Sequence, residues 1–391
     1  MRLPAGTRIH ALSVHADYRC QHSGACCTSG WPIPIESETH EGLKEAIDRA
    51  RLELPRATSC SLPFVSVDDA PRDTPVVAAA EPDGACAFYD SARRRCAIHR
   101  QLGPAMLPVA CQQFPRVSLL DGRGLFVNLS HYCPTAADQL FRDDAPLEIV
   151  EAPAAFPPDF LYDPLDARSA LPPLLKPGVL LDLETYARWE RTAVGLLARE
   201  GARPERAVAE IAAFTEALRT WKPGERGLAR HFDHSLEKVA LRPGVDGVSF
   251  SAQRATCHYR LVLDAIPAAF RPSVPFEAVE AAHRQWVDGA WETCAAPICR
   301  YLAAKVFGNW LAYEGLGVRT IVHSLVVALS VLEANAALAC RAAASRLDAA
   351  RLLGAIRRTD EILVHLASRE ELAGKLSAVE KAEKGCWTAF S

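Results

Sequence analysis

The stretch Val117-Ser-Leu-Leu-Asp-Gly-Arg-Gly-Leu-Phe-Val-Asn-Leu129 decides how the first third of this chain is read. β-Prone residues flank Asp121-Gly122, a dipeptide suited to a tight turn, so a β-hairpin is predicted. Cys111 and Cys133 each lie 11 residues from Gly122. A regular hairpin brings two such residues together at its open end. Cys86-Ala-Phe-Tyr-Asp-Ser-Ala-Arg-Arg-Arg-Cys96 follows the same logic around a turn at Asp90-Ser91. Upstream, in Cys20-Gln-His-Ser-Gly-Ala-Cys26-Cys27, Gly24 permits a tight turn that folds Cys20 back on Cys26.

There are 13 cysteines, and eight fall between Cys20 and Cys133. The start of the chain shows no apolar signal segment, and the cysteine total is odd. Both facts argue against a disulfide framework. Clustered reduced thiols point instead to zinc or an iron–sulfur cluster, since thiolates are soft ligands. The candidate ligands are Cys20, Cys26, Cys27, Cys86, Cys96, Cys111 and Cys133. Cys60 lies outside these elements and ranks lower. His22, His99 and His131 stand within a few residues of cysteines and are read as hydrogen-bonding side chains first, ligands second. Cys257, Cys294, Cys299, Cys340 and Cys386 are scattered and read as buried free thiols.

The chain has 391 residues, 49% hydrophobic and 23% charged, with a formal net charge of -3. That balance excludes global disorder and supplies no basic field for nucleic acid. Ile321 to Cys340 is the most apolar run, but it carries His323, Glu333 and Asn335, which are costly in a bilayer. A buried helix is predicted there, with no membrane partner and a cytoplasmic location. Residues 68–84 read as a surface loop. From about Asp182 the texture becomes Ala/Leu/Arg-rich. Val208, Ile211, Thr215 and Leu218, then Leu352, Ile356, Leu363 and Leu366, recur near helical spacing. Breaks at Gly201 to Pro204, Pro223-Gly224, Pro243-Gly244 and Pro272 to Pro275 suggest six to eight helices. The coil from Pro243 to Ser251 has room for a short strand. The expected fold is mainly α: a small irregular α+β cysteine-rich metal or cluster module with short β-hairpins, followed by an α-helical domain. The expected divisions are 1–150 for the module, 151–180 for a Pro-rich linker or arm, and 181–391 for the helices.

The first third resembles a known family. Tyr18-Arg-Cys20, Gly24-Ala-Cys26-Cys27-Thr-Ser-Gly30-Trp31-Pro-Ile33-Pro-Ile35, Cys86-Ala-Phe-Tyr-Asp90, Cys96-Ala-Ile98-His99, Cys111-Gln-Gln-Phe114-Pro115 and His131-Tyr-Cys133-Pro134 carry the resemblance. They are similar to the zinc- or iron-chelating, YkgJ-like cysteine-cluster family, and closest to its flagellin lysine-N-methylase branch. Gln112 stands where that family usually has Arg. The resemblance covers roughly residues 17 to 140. It implies a bound iron–sulfur cluster (4Fe-4S) or zinc. In the methylase branch it further implies methyl transfer from S-adenosylmethionine to lysines of flagellin or another protein substrate.

The residues themselves give thinner support for that enzyme. No Gly-rich strand-turn-helix fingerprint for a nucleotide appears; Asp121-Gly-Arg-Gly124 and Gly315-Leu-Gly317 read as breakers. A methylase must deprotonate its target lysine, whose pKa is about 10.4 when free. His131, Tyr132, Tyr301 and Tyr313 are the candidate bases. The competing readings are a non-catalytic adaptor braced by a structural metal, and a redox or electron-transfer iron–sulfur protein.

Overall fold

The computed structural model describes residues 1–55, 63–66, 73–143, 145–224, 227–240 and 250–378. Cys60, Cys386 and Pro243-Gly244 lie outside the described residues, as does most of the coil considered for a strand. Helix makes up about 52% and strand about 11%, so the fold is mainly α with some β.

The strands are β1 (Ile9–Leu12), β2 (Pro34–Ile35), β3 (Phe64–Ser66), β4 (Val76–Ala78), β5 (Tyr89–Asp90) and β6 (Arg95–Cys96). They continue as β7 (Arg116–Asp121), β8 (Gly124–Leu129), β9 (Ile149–Glu151), β10 (Leu165–Asp166), β11 (Leu174–Lys176) and β12 (Val179–Leu180). The helices are α1 (Ser37–Asp48), α2 (Ala97–Leu102), α3 (Val109–Gln113), α4 (Pro134–Gln139), α5 (Leu183–Leu197), α6 (Pro204–Arg219) and α7 (Leu228–Ala240). Then come α8 (Ala252–Leu263), α9 (Val279–Trp286), α10 (Asp288–Trp291), α11 (Ala295–Val306), α12 (Val318–Ala342), α13 (Ala349–Asp360) and α14 (Arg369–Ala378).

These elements form two compact units. The first holds Tyr18–Val117 and Cys133–Thr135, with Met1. The second holds Arg2–Asp17, Ser118–Tyr132 and the described residues from Ala136 onward. The chain passes between the two units at the ends of the β7–β8 hairpin.

In the first unit, β4 pairs antiparallel with both β2 and β3, with Pro34 opposite Val77 and Phe64 opposite Ala78. Ile35, Leu43, Ala46, Val76, Phe88 and Ile98 form its apolar core. The strand β4 corrects the expectation of a loop over residues 68–84. Val76 and Ala78 point inward on alternate positions, a period the surrounding Pro and Asp residues obscure.

In the second unit the expected hairpin is the middle of a five-stranded sheet, ordered β10-β7-β8-β1-β9. β1 runs parallel to β8, with Ile9 opposite Leu125, and antiparallel to β9. Gly124 is needed here: its φ is +139°, and a Cβ would collide with the Arg8 carbonyl oxygen. The Pro-rich segment 151–180 supplies β10, β11 and β12 and buries Phe156, Tyr162 and Leu175.

The helices begin where side chains satisfy their first amides. Asp182 accepts from the Thr185 amide at 2.8 Å, Asp348 from the Arg351 amide at 2.9 Å, and Pro204 opens α6 without needing a partner. On α6, Val208, Ile211, Thr215 and Leu218 are all buried, as their spacing predicts. On α13 the pattern holds for Leu352 and Ile356 and then slips. Glu361–Leu366 is a π-helical turn, so Ile362 takes the buried place expected for Leu363. From α5 to α14 the described residues contain ten α-helical segments rather than six to eight, because single turns such as α10 carry no periodic signature.

α12 is the centre of the helical unit and packs against α6, α8, α9 and α13. By length and composition it could cross a membrane, yet 89% of its most apolar window is buried inside the protein. Its polar residues meet partners there. Asn335 accepts from Tyr259 at 2.9 Å and donates to Thr359 at 3.0 Å; His323 Nδ1 bonds the Leu376 carbonyl at 2.9 Å. Cys294, Cys299 and Cys340 are buried free thiols. Cys257 is disulfide-bonded, which corrects its reading as a free thiol. It is half-exposed on α8, where a thiol is open to oxidative pairing.

Glu333, also on α12, is 4% exposed. Burial pushes its carboxyl up to about 8; Glu205 adds to this and Arg254 opposes it. A carboxyl whose folded pKa exceeds its ordinary value of 4.5 loses stability as pH rises between the two values. Glu333→Gln therefore raises Tm by a few degrees at pH 8 and little at pH 4.5. Thermal melts of both proteins across this range check it; equal melting shifts at both pH values would contradict the assignment.

Candidate metal centre

Cysteines from four separate segments of the first unit pack on two adjoining apolar clusters. Gly24, at φ +78°, turns the chain into a short 3-10 turn, Ala25–Cys27. A Cβ on Gly24 would come within 2.7 Å of the Tyr89 hydroxyl, so glycine lets this turn lie against β5. Cys26, Cys86 and Cys96 pack against the cluster of Cys27, Ala85 and Tyr89. The Cys26 and Cys27 sulfurs are 3.8 Å apart, and the Cys86 amide donates to the Cys27 carbonyl at 2.7 Å. Cys111, on α3, packs with Cys86 and Cys96 on the neighbouring core.

The two hairpins deliver these thiols differently from a symmetric pairing. In the shorter one Cys96 lies opposite Tyr89, not Cys86. Asp90 accepts from the Arg93 amide at 3.0 Å and Arg94 adopts φ +53°, which moves the turn beyond Ser91. Cys86 returns through its own tight turn, its carbonyl accepting from the Tyr89 amide. At the open end of the longer hairpin the two thiols take different partners. Cys111 feels Cys86, Cys26 and Cys96. Cys133 is buried, 3.6 Å from the Tyr18 hydroxyl, and is coupled to exposed Cys20. Among the seven candidate ligands, Cys26, Cys27, Cys86, Cys96 and Cys111 neighbour one another, and Cys20 lies within electrostatic reach of both Cys26 and Cys133.

The thiols are electrostatically unequal. Hydrogen bonding with Cys27 lowers Cys26 and brings Cys96 down to about 7. The same contacts, together with burial, push the Cys27 thiol far above the usual range. Burial raises Cys86 to about 12 and Cys111 well above its ordinary value. A donor set made only of sulfur suits zinc or an iron–sulfur cluster and is poor for magnesium or calcium. Among the described residues, no three His, Cys, Asp or Glu side chains already stand in a metal-holding arrangement. The His22 and His99 rings lie tilted at 48° with centres 5.2 Å apart, and burial lowers His99.

The candidate bases lie in the second unit and are mostly committed elsewhere. Asp360 is fully buried. It accepts from Tyr301 at 3.0 Å and from the His131 amide, contacts His131 Nδ1 at 3.2 Å, and pairs with Lys305. Burial pushes Asp360 up, but Lys305 and the His131 bonds win and hold it far below the usual carboxylate range. His131 Nε2 meets His15 Nε2 at 3.2 Å, and burial lowers both imidazoles. His131 and Tyr301 are therefore sealed structural groups, which corrects their reading as bases for a protein substrate. Tyr313 donates to Asp121 at 2.6 Å, and Tyr132 is half-buried beneath Arg357. Sequence reasoning missed Asp360 and Lys305, because neither belongs to a local motif and each needs the fold to find its partner.

The chain matches no protein-family model, no curated protein and no solved structure.

Asp360→Asn leaves the half-buried Lys305 beside a neutral amide and removes the acceptor of the buried His131 and Tyr301, and unfolding free energy falls by about 3 kcal/mol. Urea denaturation measures this loss. A change below about 1 kcal/mol would mean that the network is solvated.

Proposed function

We propose that the first unit binds an iron–sulfur cluster through cysteine thiolates, with zinc as the alternative metal. One observation carries this reading: Cys26, Cys86 and Cys96 pack beside Cys27, and Cys111, which shares the adjoining core with Cys86 and Cys96, lies within electrostatic reach of Cys26, Cys86 and Cys96. Four thiolates close a tetrahedral zinc site or a four-iron cluster. Cys26, Cys86, Cys96 and Cys111 are the preferred four, with the Cys27 sulfur 3.8 Å from that of Cys26. Cys20 and Cys133 are reserve ligands. Loading requires the thiols to shed protons, so uptake strengthens as pH rises. When bound, the centre supplies a folding constraint and, if iron, a redox-active or Lewis-acidic group.

The activity we propose for this centre is methylation of lysine side chains on flagellin or another protein, with S-adenosylmethionine as donor and a cytoplasmic setting. Support for this step comes from the resemblance of residues 17 to 140 to the flagellin lysine-N-methylase branch. The target lysine must enter uncharged, which requires desolvation at the point of transfer.

Protein purified without oxygen is expected to contain iron with matching acid-labile sulfide and broad visible absorption. Replacing Cys26, Cys86, Cys96 and Cys111 together by serine removes iron, sulfide and colour. Zinc without sulfide would overturn the cluster, and protein free of both metals would overturn the centre itself. With the cluster established, labelled methyl groups should pass from S-adenosylmethionine to flagellin lysines. A loaded protein that neither binds the donor nor labels flagellin would refute the methylase step.

A further inference from the structure

A cavity of about 360 Å³ opens within the second unit where the hairpin tip meets the first turns of α5. Its walls are Ile149, Leu183, Ala187 and Phe126, with His10 lying flat on Phe126, ring centres 4.9 Å apart. Burial lowers the His10 imidazole, so the stack is uncharged near neutral pH. Beneath it the Arg123 guanidinium, 8% exposed, sits 4.1 Å above Phe126 and 4.2 Å above Tyr186. Arg123 is saturated: Asp121 takes two of its nitrogens and Glu190 a third at 3.0 Å. The floor is therefore aromatic, flat and free of surplus positive charge.

The mouth is different. Arg8 and Arg191 line it, are exposed, and hold no carboxylate among the described residues. Glu184 lines the same mouth, and Glu151, opposite His10 on β9, adds a negative charge near it. Buried Glu190 behind the floor repels a second negative charge on any occupant. Guanidinium groups bind planar carboxylates through paired hydrogen bonds.

We propose that this cavity binds an aryl carboxylate of one or two rings, its ring stacked on the half-buried His10 and its single charge between Arg8 and Arg191. The volume falls within the range of small-molecule sites, and an apolar chamber with a few charged groups at the mouth is their usual composition. This site gives the Asp121-Gly-Arg-Gly124 turn a role. Gly122 sits where a Cβ would press on Leu183 of the cavity wall, 2.8 Å away. The site is independent of the cysteine centre.

The test titrates 2-naphthoate into the full-length protein and follows heat or ligand fluorescence. Saturable one-site binding is expected. Neutral 2-naphthamide should bind at least about tenfold more weakly, the cost of one charge-assisted contact. Arg8→Gln and Arg191→Gln should each weaken 2-naphthoate by about five- to tenfold. Both residues are exposed, and unchanged melting curves would show that the fold is intact. Arg199→Gln, just past the end of the same helix and outside the cavity, should leave affinity unchanged. Ala187→Trp should abolish binding by filling the chamber. Absence of saturable binding, equal affinity for the amide, or indifference to both cavity arginines would overturn the proposal. Tighter binding of 2-naphthyl phosphate would overturn the assignment of a monoanion.

Discussion

The second unit is organised around a buried cation, Arg123. Its guanidinium lies between Phe126 and Tyr186 and holds two carboxylates, Asp121 from the hairpin itself and Glu190 from α5. The network reaches further: Glu190 accepts from the Gly308 amide at 2.9 Å, and Asp121 accepts from Tyr313. One charge thus fixes the hairpin tip to the helix that opens the bundle and to the chain that leaves α11. Burying three ionic groups is expensive unless each is satisfied, and here the hydrogen bonds supply that satisfaction. Removing the cation would leave two carboxylates facing each other in the core. The attachment explains why the hairpin belongs with the helices, although its two ends lead to cysteines of the first unit.

The helical core solves a similar problem on α12. Its polar residues would be liabilities in a purely apolar setting. Instead Asn335 links Tyr259 to Thr359, and His323 finds the Leu376 carbonyl. Asp360 at the end of α13 collects Lys305, Tyr301 and His131. Such networks specify which helix faces meet, because any other packing leaves a buried donor or acceptor unpaired. The π turn after Asp360 belongs to the same arrangement: it rotates the chain so that His365 reaches Ser130 at 2.7 Å while Ile362 stays in the core.

The thiol group of the first unit obeys the opposite economy. Its sulfurs are weak donors and acceptors, so hydrogen bonds among them are a modest gain for so much local order. Contact with Cys27 lowers Cys26 and Cys96, the more acidic of the set. A soft cation would replace these contacts with far stronger bonds, and the set is consistent with that use. The sorting of Cys111 from Cys133 follows from backbone direction. α3 turns Cys111 inward before the hairpin starts, and Cys133 follows the hairpin's last strand to meet Tyr18.

Local chemistry made several features legible from the residues alone. Asp121-Gly122 marked its turn, and period-3.6 spacing marked α6 and most of α13. Each signal acts over a few neighbours, through allowed backbone angles or through which side of a helix meets water. Tertiary structure decided the rest. It put the hairpin with the helices, made β4 from a stretch that reads as loop, and moved Cys96 opposite Tyr89. It also joined Asp360 to Lys305 and Glu190 to Arg123 across 55 and 67 positions (360 − 305; 190 − 123). Those outcomes depend on which desolvated charges and amides can satisfy each other at once, a condition on the folded whole that no short window of sequence contains.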